Sequence, residues 1–172
     1  MALFRLATLA AAVVIGVISS PATAQQSAAT TEKAKHGAWS IRCLQSDATV
    51  CAMTQIGNNA SGEPLLRAEF HKSPTPQQVE GRTILGRMVI TVPIGVLLPA
   101  GVQLSIDGRA VGAAGYQVCN PQQCVVAELV SDEFVGQLKK GSNVTMTIRG
   151  VDGKEASATL SLTGYTKAFN SL

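Results

Sequence analysis

The sequence is short of charged residues, and the charges that it has are scattered. Charged residues make up 15% of its 172 residues, whereas soluble domains average about 25%. The formal net charge is +3, and the basic residues stand singly except for Lys139-Lys140. Because a nucleic-acid-binding surface needs a clustered basic patch, we expect no nucleic acid partner.

Motifs with known chemistry are also missing. The sequence has no Gly-rich phosphate loop, no Gly-x-Ser-x-Gly nucleophile turn and no acidic run of the calcium-binding kind. Of its two histidines, His71 follows Glu69 on the same face of a predicted strand. The pair could form a general base, but no recognisable nucleophile setting accompanies it. We therefore interpret His71 as a solvent-facing side chain. We expect no catalytic residue, cofactor or metal ion, and the protein is predicted not to be an enzyme.

Long hydrophobic runs are confined to the N-terminus. Arg5 precedes an apolar run over residues 6–18, and Ala22-Thr23-Ala24 forms a small-x-small cleavage site. The run is shorter than the ~20 apolar residues that span a bilayer, and Pro21 would end a helix there. We predict that residues 1–24 are a cleaved signal peptide, that residues 25–35 form a disordered linker and that residues 36–172 form one β-rich domain. No transmembrane anchor is expected after signal cleavage.

Four cysteines in an exported chain indicate a disulfide framework. The four are Cys43, Cys51, Cys119 and Cys124, which allow three pairings. We favour Cys43–Cys51 and Cys119–Cys124, because each pair flanks its own turn and opposed hairpin residues lie close enough to bridge. A crossed pairing stays open. The spacings disfavour both a four-cysteine zinc site and a Cys-x-x-Cys redox site.

The chain reads as many short strands separated by turns. Asp107-Gly108 and Asp152-Gly153 are strong hairpin signals. Pro74 and Pro76 make residues 72–81 a predicted surface loop. Closely spaced strands favour an antiparallel β-sandwich or a barrel-like fold. The predicted strands cover residues 39–44, 50–56, 65–71, 83–92, 102–106, 109–111, 116–119, 124–130, 144–149 and 156–162.

One short helix and a closing helical turn complete the predicted fold. Ser131 can cap a helix that has acidic residues in its first turn, Lys139-Lys140 in its last turn and Gly141 after it. Near the C-terminus, Tyr165, Phe169 and Leu172 recur at helical spacing. We expect that turn to pack against the sheet.

The most unusual segment is the apolar stretch over residues 93–101, which contains Ile94, Val96, Leu97 and Leu98 between two prolines. Its prolines and glycines break it too often for a regular strand. We expect a buried crossover between sheets. The alternative is an exposed patch that docks a partner, because large exposed apolar patches mark interaction sites.

The same segment carries a family resemblance. Residues 93–108, Pro-Ile-Gly-Val-Leu-Leu-Pro-Ala-Gly-Val-Gln-Leu-Ser-Ile-Asp-Gly, resemble the central signature of the invasion-associated locus B family. The likeness extends to Gly37-Ala38-Trp39, to Ala127-Glu128 and to the closing residues 161–166. Ala38 is a departure, because the family commonly has an acidic residue there.

The resemblance implies an exported protein of a Gram-negative bacterium. Its expected location is the periplasm, the outer envelope or the extracellular space. The resemblance implies no catalytic mechanism. Our first hypothesis is a non-catalytic binding protein that supports host-cell invasion, with a protein or an envelope or host-surface component as its partner. The alternatives are an envelope hydrolase that uses His71, and a structural or stress factor of the envelope. A cleft gathering His71, a carboxylate and a hydroxyl would favour the hydrolase. Exposure of Leu97 and Leu98 would favour binding.

Overall fold

The computed structural model describes residues 29–172, which form two antiparallel β-sheets and two short helices. The seven strands of the large sheet lie in the spatial order β1 (Thr30–His36), β2 (Trp39–Leu44), β3 (Cys51–Asn58), β4 (Pro64–Val79), β5 (Arg82–Pro93), β9 (Gln123–Ser131) and β8 (Tyr116–Cys119). The four strands of the small sheet lie in the order β11 (Glu155–Ser161), β10 (Asn143–Arg149), β6 (Val102–Ile106) and β7 (Arg109–Ala114). Within the described residues neither sheet closes into a barrel. Of the two predicted folds, the antiparallel β-sandwich is therefore confirmed.

The two helices are those that the sequence predicted. The first, α1 (Asp132–Lys140), begins after Ser131, whose hydroxyl oxygen accepts a hydrogen bond from the backbone N–H of Phe134 at 3.2 Å. The second, α2 (Tyr165–Asn170), follows Gly164 and buries Tyr165 and Phe169. No helix within residues 29–172 is long and apolar enough to cross a membrane.

The core lies between the sheets because the strands alternate buried and exposed side chains. In β10, for example, Val144, Met146 and Ile148 are buried, whereas Thr145 and Thr147 face outward. The small sheet packs on the large one through β11 and β3 so closely that a Cβ on Gly57 would lie 2.8 Å from the Cβ of Ala158.

An aromatic cluster fills the part of the core under α2. The rings of Trp39, Phe70 and Tyr165 meet edge to face with centroids 5.4–5.7 Å apart, and Phe169 stacks on Tyr165. The indole N–H of Trp39 donates to the carbonyl oxygen of Ser161 at 2.9 Å. This bond ties the single tryptophan to the last strand of the small sheet.

The expectation of a disordered linker is wrong from Thr30 onward, where β1 begins. Strand β1 pairs with β2 from Thr30 opposite Leu44 to His36 opposite Trp39. Hydrogen bonding to a strand anchored in the core therefore orders a polar segment that has little hydrophobic pattern of its own. The predicted signal peptide, residues 1–24, and the linker up to residue 28 lie outside the described residues.

The predicted surface loop over residues 72–81 is also wrong, because β4 continues through Pro74 and Pro76 to Val79. Strand β3 pairs with β4 only as far as Phe70, so the rest of β4 has β5 as its one neighbour among the described strands. Prolines are tolerated on such an edge and at a register shift, and the pairing shifts between Lys72 and Gln77. The result is a two-stranded arm extending from the large sheet.

Candidate binding surfaces

The apolar segment connects β5 to β6 and so crosses between the sheets, but most of its side chains are not buried. Ile94 is 55% exposed, Leu97 38% and Leu98 54%, whereas Val96 is 7% exposed. The expectation of a buried crossover is therefore wrong for three of the four candidate residues. The alternative interpretation, an exposed apolar patch, describes what the structure shows.

Backbone hydrogen bonds hold the segment in place. The N–H of Leu97 donates to the carbonyl of Arg149 at 2.7 Å, and the N–H of Val151 donates to the carbonyl of Gly95 at 2.9 Å. Val96 lies opposite Gly150 in an isolated antiparallel bridge. Because side chains alternate along this short ribbon, Val96 points into the core while its neighbours face outward.

The end of the segment is equally fixed. A single 3₁₀ turn over Leu98–Ala100 leads into Gly101, which has a φ of +60°. A Cβ at Gly101 would lie 2.6 Å from the carbonyl oxygen of Ala114, so glycine is required there.

Val151 adds a further aliphatic side chain to this surface. It is 72% exposed at the tip of the β10–β11 hairpin, beside Gly95. We call Ile94, Leu97, Leu98 and Val151 together the apolar end. Sequence reasoning identified Asp152-Gly153 as a turn but overlooked the valine before it; an apolar residue directly preceding a turn signal was the available clue.

The charges beside the apolar end occur as balanced pairs. Arg149 and Glu155 form a salt bridge, and the ammonium nitrogen of Lys154 lies 3.6 Å from a carboxylate oxygen of Asp152. The four charges that flank the apolar end therefore sum to zero.

The Cys119–Cys124 bridge lies at the same end of the sandwich, since Gln123 pairs with Pro93 at the start of the apolar segment. The other bridge joins Cys43 to Cys51 between β2 and β3. Both predicted pairings are confirmed. Each bridge closes a single hairpin, so neither cross-links the two sheets.

A separate groove of about 880 Å³ runs over the outer face of the large sheet. Strand register places Ser40, Thr54 and Glu69 side by side on β2, β3 and β4, and His71 lies two residues beyond Glu69. Thr54 is only 8% exposed, and its hydroxyl has no hydrogen-bond partner among the described residues. The groove thus gathers a histidine, a carboxylate and hydroxyl groups.

These groups are not linked to one another as a catalytic set would be. The hydroxyl of Thr54 has no hydrogen-bond partner within the described part of the chain. A carboxylate oxygen of Glu69 lies 3.4 Å from Nε of Arg67, with which it forms a salt bridge. The guanidinium of Arg42, which also lines the groove, donates hydrogen bonds to the hydroxyl and carbonyl oxygens of Thr30. A nucleophile and base need a direct hydrogen bond or one bridging water, and this geometry does not supply the direct bond.

Comparison with known proteins agrees with the family resemblance seen in the sequence. The sequence model of the family described as "Invasion associated locus B (IalB) protein" matches residues 39–172. An invasion protein B homolog of Brucella abortus strain 2308 is 30% identical over 135 residues, which cover 77% of this chain and 73% of the relative. Invasion protein B of Bartonella bacilliformis is 26% identical over 116 residues, covering 66% of this chain and 58% of that protein.

A solved structure shares the fold. The crystal structure of invasion associated protein B from Bartonella henselae matches with a TM-score of 0.60 and 23% identity, over 83% of this chain and 94% of that chain. At this identity the likeness speaks for the arrangement of the strands alone.

Proposed function

This chain belongs to the invasion-associated locus B family, and on that premise we propose that it is an exported, non-catalytic binding protein that docks a protein partner on its apolar end. The observation that carries the proposal is the exposure of Leu97 and Leu98 on a segment fixed by backbone hydrogen bonds. A rigid apolar surface loses little conformational entropy on association. Contact with a partner would remove its side chains from water.

The chemistry around the apolar end favours a protein over a lipid surface. Membrane-surface sites combine apolar side chains with an excess of Lys and Arg. Here the neighbouring charges are the pairs Arg149–Glu155 and Lys154–Asp152. A partner protein with an apolar centre and a polar rim fits this pattern.

The location proposed is the periplasm, the outer envelope or the extracellular space of a Gram-negative bacterium. Two disulfides suit an oxidising compartment, and the N-terminal sequence has the three parts of a secretory signal. The relatives named above carry the name invasion protein B. By that likeness we propose that partner binding supports entry into host cells.

The experiment compares partner capture by the Leu97→Ser/Leu98→Ser variant with capture by the unaltered protein, using envelope extract and quantitative mass spectrometry. We expect the captured partner to fall about tenfold, as when central apolar anchors of an interface are removed. Ile56→Ser is the matched control, since Ile56 is 60% exposed on the outer face of the large sheet. Equal capture by all three proteins would contradict the proposal.

A second candidate function is an envelope hydrolase that uses the outer groove. The observation in its favour is that His71, Glu69 and Thr54 share one groove. It ranks below binding because the Thr54 hydroxyl has no hydrogen-bond partner in the described residues and the Glu69 carboxylate pairs with Arg67. A His71→Ala protein should fold normally and retain its biological activity. Loss of a measurable turnover in that variant would establish the hydrolase instead.

A further inference from the structure

A second groove, of about 510 Å³, opens between the sheets beside β7. Its floor consists of core side chains, Ile84, Met88, Leu104 and Val130, each less than 7% exposed. Its walls are β7, the first turns of α1 and the tip of the β4–β5 arm. The groove therefore gives access to the hydrophobic interior at the open side of the sandwich.

One charged side chain occupies an inward position at this groove. Every second side chain of β9 faces the core, and those of Cys124, Val126 and Val130 are buried. Glu128 occupies the remaining position in this inward-facing row. Glu128 lies directly opposite Met88 of β5. Its carboxylate lines the groove and has no hydrogen-bond or salt-bridge partner among residues 29–172. A carboxylate in a core row is costly unless it meets water or a cation, and the groove supplies that access.

The rim of the groove is acidic as well. Glu80 lies at the tip of the β4–β5 arm, and Glu133 lies in the first turn of α1. Arg82 is the one cation among the lining residues, so the lining carries a formal charge of about −2. The whole sequence, by contrast, has a net charge of +3. An acidic groove on a basic chain is complementary to a cationic ligand.

The groove is also bordered by an unpaired strand edge. Among the strands of residues 29–172, β7 pairs with β6 alone, and its residues after Arg109 are small or apolar and uncharged. Proteins commonly protect such edges with charges or bulges. Strand β1, one of the two edges of the large sheet, carries Glu32, Lys33 and Lys35. At the register shift in β7, the half-buried side chain of Val111 lines the groove. Beyond this shift, residues 112–114 pair regularly with β6 and carry no charge, so this stretch of the edge is positioned to accept an added strand.

From these observations we propose that the groove binds an extended, basic segment of a protein. The segment adds to the free edge of β7, places a Lys or Arg side chain against Glu128 and lays an apolar side chain on the floor beside Phe134. The charged part of the site lies away from the apolar end: Arg82 begins β5 beside this groove, whereas Ile94 follows the opposite end of that strand. Ala114, at the far end of β7, is the lining residue that approaches the apolar segment, at Gly101. The inference does not depend on the proposed function of the apolar end.

The test uses a fluorescein-labelled peptide of alternating lysine and valine, about six residues long to match the length of β7, and measures its binding by fluorescence anisotropy. A second peptide has glutamate in place of lysine. We expect the lysine peptide to bind at least about tenfold more tightly than the glutamate peptide, and binding to weaken as salt is added. Equal affinities for the two peptides would overturn the proposal.

Two variants locate the charge contact. Glu128→Gln keeps the shape of the side chain but removes its charge, and we expect it to weaken binding of the lysine peptide by about fivefold or more. Glu63→Gln is the control, because Glu63 is an exposed carboxylate in the β3–β4 turn, away from the groove. Unchanged binding by Glu128→Gln would refute the role of that residue.

Amide chemical shifts of the unaltered protein test the strand addition without any variant that could unfold. The lysine peptide should shift the backbone amides of Gly112, Ala113 and Ala114 along β7. Shifts near Glu128 and Phe134 without shifts along β7 would overturn strand addition. Shifts confined to the apolar end would overturn the site.

Discussion

The backbone N–H of Leu97 donates to the carbonyl oxygen of Arg149 at 2.7 Å. This bond holds the apolar segment against the β10–β11 hairpin while the Leu97 side chain stays 38% exposed. The conformation of the segment therefore depends on backbone pairing and on the inward side chain of Val96, and not on burial of the two leucines. Side chains that the fold does not need to bury are available to a partner.

Replacing both leucines by serine should leave the fold intact. We expect Leu97→Ser/Leu98→Ser to change the free energy of unfolding by less than about 1 kcal/mol, as at other exposed sites. Val96→Ser, at a position that is 7% exposed, should lower it by about 2 kcal/mol or more. Urea denaturation of the three proteins measures both values. An unfolded leucine variant would show that these side chains belong to the core.

Removing the hydroxyl of Tyr165 should not destabilise the protein. That hydroxyl is buried with no hydrogen-bond partner in the described chain. We expect Tyr165→Phe to raise the free energy of unfolding by about 1 kcal/mol, because it removes an unpaired buried polar group. Tyr165→Ala, which empties the centre of the aromatic cluster, should lower it by about 3–5 kcal/mol. A destabilised Tyr165→Phe protein would reveal an unseen partner for the hydroxyl.

The same residue predicts a loss of stability at high pH. Burial raises the pKa of Tyr165 above its ordinary value of 10.0. Above that pH the unfolded chain releases the phenolic proton while the folded chain retains it, so stability falls as pH rises. The gain from Tyr165→Phe, measured by urea denaturation, should therefore be larger above pH 10 than at neutral pH. A gain independent of pH would contradict the assignment.

The two disulfides should each contribute moderately to stability. Because they close short loops of sequence separation 8 and 5, we expect replacement of either pair by alanine to lower the free energy of unfolding by about 2–3 kcal/mol. Peptide mapping without reduction should recover Cys43 linked to Cys51 and Cys119 linked to Cys124. A crossed peptide, or free thiols in protein purified without reducing agent, would contradict the framework.

Local signals predicted most of the strands and both helices. At the β6–β7 turn, Asp107 and Gly108 have φ angles of +47° and +79°, the conformation that Asp-Gly favours in tight hairpins. The Asp107 carboxylate also accepts hydrogen bonds from the backbone N–H groups of Ser142 and Asn143. Residue types indicated the turn, but that second contact spans 35 residues or more and could not be predicted locally.

The exposure of Leu97 and Leu98 illustrates what local patterns leave undetermined. Hydrophobicity favoured burial, but the direction of these side chains follows from the pairing of their backbone with a hairpin about 50 residues later. Glu128, by contrast, shows a structural feature that the local pattern does reveal. The alternation Cys124, Val126, Glu128, Val130 is visible in the sequence, and a charge in that row was a detectable sign of the groove.

The most direct measurement is site-specific photo-cross-linking in living bacteria. A benzoylphenylalanine introduced at Leu98 should form a covalent adduct with one protein partner after irradiation. The same group at Ile56, an equally exposed aliphatic position on the outer face of the large sheet, should not form that adduct. A discrete adduct at Leu98 alone is the result predicted for a binding protein that uses its apolar end. The absence of any adduct at Leu98, or the same adduct from both positions, would contradict it.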